Sequence, residues 1–420
     1  MSTQEKNQSK ICLASIDDQN YSITRRVFLE RAGKLSMVLA GAGILGSLNV
    51  SCGGGGGGGG GSSTGLADST VYLVKNGSFS ENIEALFELM GGVTSFIGAS
   101  DVVVIKANAQ WPNQGYTHTG CIKAVIDEIL AIPGFSGEVL ICDNTQNGGS
   151  IGALGFDATL SNRIHNWPDY NWNELADHYQ NLGKPVAVKR WLNSDGPAIS
   201  SPSQGEGWVR DFFSFHGYGA YLSYPIFESP LTAGRMIDMA NGVWENGRYT
   251  GRRVKTIFMP TLNNHGSNYS EDYAGITSAI KCFFGATEIH GGAGGTLNGY
   301  ENMHTASYSN GSPNGAYYAG ELAARFIDTL YQPVLYITCA IWSGHESRTG
   351  SAVETKTVLA CTNPATLDFV SGRDVIGPYN ANLNPIYDNN TRRQIIGCIN
   401  GGVGTITDGD YSVVSYDFSG

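Results

Sequence analysis

The sequence predicts an α/β fold: a mixed, mostly parallel sheet with helices on both faces, joined by many loops. Three observations carry this. From Leu66 onward, short apolar runs alternate with longer segments of helical spacing, the pattern of strands covered by helices. Runs such as DVVVIK at 101–106 and GEVLICD at 137–143 lack polar alternation, as expected of strands buried on both faces. Finally, a chain of 420 residues with 41% apolar side chains can fill a real core, and its 57 glycines, one run aside, are scattered among Asn and Ser. That distribution excludes a collagen-like or wholly disordered chain.

The elements follow in order. Residues 70–75 (TVYLVK) read as a strand, and 80–90 as a helix that opens on Ser80 and Glu81 and repeats Ile83, Leu86, Phe87 and Met90 at helical spacing. A strand at 101–106, a helix at 118–130 and a strand at 137–143 make one βαβ unit. Further strands are predicted at 185–191, 220–226, 254–262, 334–341 and 357–361, with helices near 172–182, 273–283, 316–331 and 364–376. No internal repeat is present.

The first 52 residues read as an address rather than as part of the fold. Ile23-Thr24-Arg25-Arg26-Val27-Phe28-Leu29-Glu30 precedes a mildly apolar, glycine-interrupted run at 35–51. This resembles a twin-arginine export signal, with Arg25 and Arg26 as the pair read by the translocase, and implies export of a folded chain to the periplasm or cell envelope. Cys52 follows SLNVS and is similar to a lipoprotein cleavage site, although Asn49 stands where a branched apolar residue is usual. Two outcomes stay open: Cys52 is acylated and tethers the protein to a membrane, or it is removed or idle. A Gly/Ser linker at 53–67 follows, whose polyglycine run spans roughly 15–20 Å as a flexible coil. The folded α/β domain is then 68–420.

Composition narrows the partners. A net charge of −11 with 15% charged residues provides no basic stripe, which argues against nucleic-acid binding. Of eight cysteines, Cys12 and Cys52 lie in the N-terminal segment and the other six stand singly, several in apolar runs, with no CxxC pair. They read as buried small hydrophobes, and no in-chain iron–sulfur cluster is expected.

In open α/β sheets, ligands gather at the carboxyl ends of strands. The polar residues there are Lys106 and Asn108, Asp143 and Asn144, Asn263, Asn264 and His265, and Asn363. Lys281, on the helix after the His265 loop, either reaches solvent along an apolar face or is desolvated and reactive. His290, His304 and His345 read as loop-packing histidines rather than metal ligands, and the GGAGG at 291–295 lacks the ending of a phosphate loop.

These segments together resemble the prokaryotic family known as domain of unknown function 362. Val104-Ile105-Lys106-Ala107-Asn108 is similar to the family's strand ending in a Lys-Pro-Asn turn, with Ala107 in place of proline. Asp143 closes the next strand. Residues 256–266 (TIFMPTLNNHG), 276–285 (ITSAIKCFFG) and 358–376 (VLACTNPATLDFVSGRDVI) are similar to later blocks, with departures at Asn263 or Asn264, Cys282 and Asn363. The chain thus resembles a divergent member. The resemblance implies that Lys106, Asp143, His265, Lys281 and Asp368 converge on one cleft for a small anionic ligand. His265 and Lys281 would move protons or attack, while Lys106, Asn108, Asp143, Asn363 and Asp368 would bind. Two function classes follow. One is an envelope enzyme acting on a small anionic substrate, with an unspecified cofactor or metal loaded before export. The other is a non-catalytic envelope binding or accessory protein with a degenerate cleft.

Overall fold

The runs VVVIKA and EVLICD become adjacent parallel strands whose every residue is buried. The computed structural model describes residues 21–23 and 69–420, except 146–152, 192–195, 266–274, 293, 309–313 and 408. Arg25, Arg26, Cys52 and the 53–67 linker lie outside the described residues. In chain order the strands are β1 (Tyr21–Ile23), β2 (Ser69–Lys75), β3 (Val102–Ala107), β4 (Glu138–Asp143), β5 (Val186–Arg190), β6 (Gly207–Phe215), β7 (Tyr218–Glu228), β8 (Met236–Asp238), β9 (Gly242–Glu245), β10 (Arg248–Tyr249), β11 (Val254–Met259), β12 (Thr261–Asn264), β13 (Ile276–Thr277), β14 (Thr296–Leu297), β15 (Tyr300–Glu301), β16 (Leu335–Gly344), β17 (Val353–Cys361) and β18 (Tyr411–Asp417). The helices are α1 (Phe79–Leu89), α2 (Thr119–Leu130), α3 (Leu154–Asp157), α4 (Trp172–Asn181), α5 (Ala279–Cys282), α6 (Met303–Tyr308), α7 (Asn314–Thr329), α8 (Pro364–Val370) and α9 (Asn390–Asn400).

The main sheet runs β1-β18-β2-β17-β16-β11-β3-β4-β5, with β12 and β13 attached beside β16. It is mixed and mostly parallel: β17 is antiparallel to both β2 and β16, and β13 to β12. Because side chains alternate across a strand, each face builds its own core. Val103, Ile105, Val139 and Ile141 pack on one side with Leu86 of α1, Ile122 and Val125 of α2, and Leu175 of α4. On the other side Val102, Val104, Leu140 and Phe258 pack with Ile280, Phe283, Leu322 and Phe326 from α5 to α7. Helices therefore cover both faces. The β3-α2-β4 unit stands as the sequence predicts.

Four features differ from the sequence expectation. The strand expected at 254–262 breaks at Pro260, which has no N–H to offer a ladder, and becomes β11 and β12. The helix expected at 273–283 is, within the described residues, the short strand β13 followed by the single turn α5 and a 3₁₀ turn. Thr277 pairs with Asn263 across β12 instead of entering a helix. A second, seven-stranded sheet built around the β6-β7 hairpin packs Trp208, Leu222 and Ile226 into the same core as Val102 and Leu140. Finally, α9 and β18 extend the fold at its C-terminal end.

Local signals hold the ends of the helices. Ser78 and Glu81 form a reciprocal capping box on α1, and Asn171 and Glu174 one on α4, each worth about 1 kcal/mol. Between α7 and α9 the close approach is set by glycine. A Cβ on Gly320 would lie 1.9 Å from the Gln394 carbonyl oxygen, and one on Gly397 1.9 Å from that of Tyr317. Gly320→Ala should push the helices apart at a cost of about 1–3 kcal/mol, read as a lower thermal midpoint; an unchanged midpoint would show that the contact is slack.

His118 caps α2, its Nδ1 accepting the Cys121 N–H at 3.2 Å. Burial lowers its pKa from 6.5 to about 4. The unfolded chain therefore takes up a proton below pH 6.5 that the folded chain refuses until pH 4. Stability from this group is present above pH 6.5 and is lost as pH falls toward 4, at about 1.4 kcal/mol per pH unit. His118→Asn keeps a capping acceptor and removes the titration, so urea unfolding of the variant should depend less steeply on pH between 6.5 and 4.5. Equal slopes would refute this assignment. Among the described residues, no helix is long and apolar enough to cross a membrane.

Candidate anion-binding site

The carboxyl ends of β3 and β12 and the loops after β3 and β16 meet at one edge of the main sheet. After β3 the chain turns through Trp111 and Asn113, both with left-handed backbone (φ 68° and 55°). Asn108 fixes the start of this turn: its Oδ1 accepts the Thr261 N–H at 3.2 Å, and its own N–H reaches Thr117 Oγ1 at 2.9 Å. The loop after β16 carries Arg348 and is held by amides. Gln114 Nε2 donates to the carbonyls of Ser347 and Gly350, Asn113 Nδ2 to Thr349, and Asn264 Nδ2 to Glu346. Asn263 bridges the two loops, donating to the Gln114 carbonyl at 2.9 Å and accepting the Gly344 N–H at 3.1 Å. Arg348 lies over the Trp111 ring at 4.4 Å, a cation–π contact that orients its guanidinium.

A cavity of about 30 Å³ opens between these loops and α5. Its polar wall includes Lys281, Arg348, His265, His304, Asn108 and Thr277, and among the described residues no carboxylate lines it. Lys281 is 4% exposed, so its ammonium is desolvated rather than reaching solvent. His265 Nδ1 lies 3.1 Å from Thr277 Oγ1, and its backbone N–H donates to Gly275 at 2.8 Å. Enclosure, followed by the charges of Lys281 and Arg348, holds the His265 imidazole well below its usual range. The same causes lower His304 to about 4. At neutral pH the cavity therefore gathers Lys281 and Arg348 beside two neutral imidazoles. Such a set attracts an anion and offers a proton acceptor beside it.

The five residues expected to share one cleft do not all line this cavity. Lys106 and Asp143 form a sealed ion pair, Nζ to Oδ1 3.4 Å, at 0% and 2% exposure. Lys106 also approaches Cys282 Sγ at 3.4 Å, and Asp143 accepts the N–H groups of Ala109 (2.8 Å) and Asn144 (3.0 Å). Burial alone would lower the Lys106 pKa, but Asp143 and Cys282 together raise it above its ordinary value. Gly285 closes the lid. A Cβ there would sit 2.2 Å from Asp143 Oδ1 and 2.4 Å from Lys106 Nζ. Asp368 accepts the N–H groups of Ala279 (2.7 Å) and Ile280 (3.0 Å) and so caps α5, the turn that carries Lys281. Its burial raises its pKa to about 7, against those two hydrogen bonds and the Lys281 charge. Asn363 caps α8 through the N–H groups of Ala365 and Thr366.

No family model, curated protein or solved structure matches the chain.

His265, Lys281 and Asn108 were legible as candidates. Arg348 was not, because it stands in a loop with no apolar pattern, held in place by amides of Asn113, Gln114 and Asn264. His304 carried a loop-packing reading; its place on α6 against Phe284 (ring centroids 5.4 Å) puts it in the wall. Among the described residues, no group of three or more His, Cys, Asp or Glu side chains could hold a metal ion.

Proposed function

We propose that the chain is an exported envelope protein that binds a small anion in the Lys281–Arg348 cavity, and that His265 accepts a proton from the bound molecule. The observation that carries this is the make-up of the wall, where Lys281 and Arg348 stand beside two imidazoles that are neutral at neutral pH. The substrate class is a small carboxylate or phosphate, and the reaction class is proton transfer at that ligand. Export rests on the twin-arginine segment at 23–30, and a lipid tether rests on Cys52. We also propose kinship with domain of unknown function 362. Support comes from the sequence blocks at 104–108, 256–266, 276–285 and 358–376 and from Asp143, in the order the resemblance expects.

A second reading, a binding protein without catalysis, is favoured by the engagement of Lys106, Asp143 and Asp368 in structural contacts. Calorimetric titration of the full-length protein with acetate and with inorganic phosphate at constant ionic strength tests the anion site. Saturable binding that is lost in Lys281→Met is expected; absence of binding by both anions would overturn it. Mass spectrometry of a bound carboxylate before and after incubation in heavy water separates the two readings, because only the enzyme exchanges a carbon-bound proton.

A further inference from the structure

Away from the residues that line the anion cavity, a groove of about 470 Å³ opens at the carboxyl end of β2, within the size range of small-molecule sites. Its wall is aromatic. Trp342 follows an irregularity in the β16 ladder, the kind of bulge that re-aims a side chain, and His165 stacks on it at 4.4 Å with the rings 29° apart. Trp167 is set by Phe79 at 5.4 Å and by the edge of Tyr170 at 5.5 Å. Both indoles are partly exposed, and these neighbours hold their planes before any ligand arrives.

Polar groups surround the rings. Glu354 is the cross-strand partner of Trp342, and its carboxylate lies 3.6 Å from Lys356 Nζ. Lys356 and Asn76 both have left-handed backbone (φ 44° and 67°), and the Asn76 N–H donates to the Lys356 carbonyl at 3.0 Å. A lysine in that region carries strain, which concentrates at ligand sites. The charges here cancel within the Glu354–Lys356 pair, and His118, which also lines the groove, is neutral. The cationic cavity selects an anion, whereas this groove suits a neutral ligand with a flat apolar face and a rim of hydroxyls.

We propose that the groove binds a neutral pyranose ring, stacked on Trp342 and Trp167 and hydrogen-bonded by Glu354, Lys356 and Asn76. The inference does not depend on the anion site. The test uses the full-length protein with two probes, the trisaccharide of β-1,4-linked N-acetylglucosamine and that of β-1,4-linked glucose. Indole fluorescence and saturation-transfer NMR report binding. At least one sugar should bind saturably, and Trp342→Ala and Trp167→Ala should each weaken it by about tenfold or more. Lys281→Met should leave it unchanged, which separates this site from the anion cavity. Near-ultraviolet circular dichroism identifies any variant that fails to fold, and for such a site Trp342→Tyr, which keeps a stacking face, replaces it and should retain most of the binding. Silence of both sugars, binding indifferent to the tryptophan variants, or preference for the planar anion indole-3-acetate over either sugar would each overturn the proposal.

Discussion

Lys106→Met should cost about 3–5 kcal/mol of folding stability, the penalty for leaving one partner of a buried ion pair uncompensated. Nothing can replace the lost ammonium. Asp143 is 2% exposed, and Gly285 packs so closely on the pair that a Cβ there would lie 2.2 Å from Asp143 Oδ1. Two backbone N–H groups, from Ala109 and Asn144, would be left to satisfy a buried carboxylate. Adding Asp143→Asn to Lys106→Met should return part of the loss, since an amide oxygen still accepts one of those N–H groups while the unpaired charge is gone. Urea unfolding of the two single variants and the double variant measures this coupling. Additive losses would mean that Lys106 and Asp143 do not act as a pair.

Lys281→Met and Arg348→Met should each weaken anion binding by about 30-fold or more, equivalent to about 2 kcal/mol for truncating one partner of a desolvated charge pair. Arg348→Lys should fall between wild type and Arg348→Met. It keeps the charge, but an ammonium lacks the planar face that lies on Trp111. His265→Gln should reduce affinity much less, because the imidazole it replaces is already neutral. Equal losses across all four variants would point to general disruption of the loop rather than to removal of charge. Titration with phosphate at constant ionic strength distinguishes these outcomes.

The parts of the fold that were legible in the sequence are those in which local pattern and burial agree. VVVIK and EVLIC are apolar without alternation because both faces of β3 and β4 are covered, and the spacing of α2 matches its buried stripe. The second sheet was obscured because β6, GWVRDFFSF, mixes aromatic and charged residues on a strand that is only partly buried. The end of β11 was missed by one proline, and the 273–283 helix was overextended because the cap of α5 comes from Asp368, 89 positions away. The candidate site divides in the same way. His265, Lys281 and Asn108 could be read from their positions after strands. The sealing of Lys106 and Asp143 could not, since it depends on Gly285 lacking a side chain, and Arg348 enters on a loop held by amides from distant positions in the chain.

An anion site in the Lys281–Arg348 cavity is tested most directly by an anomalous-scattering map from crystals of the full-length protein grown in sodium bromide. A bromide peak is expected inside the cavity within contact distance of Lys281 Nζ and the Arg348 guanidinium, absent in Lys281→Met crystals. An empty cavity beside occupied bromide sites elsewhere on the surface would contradict it.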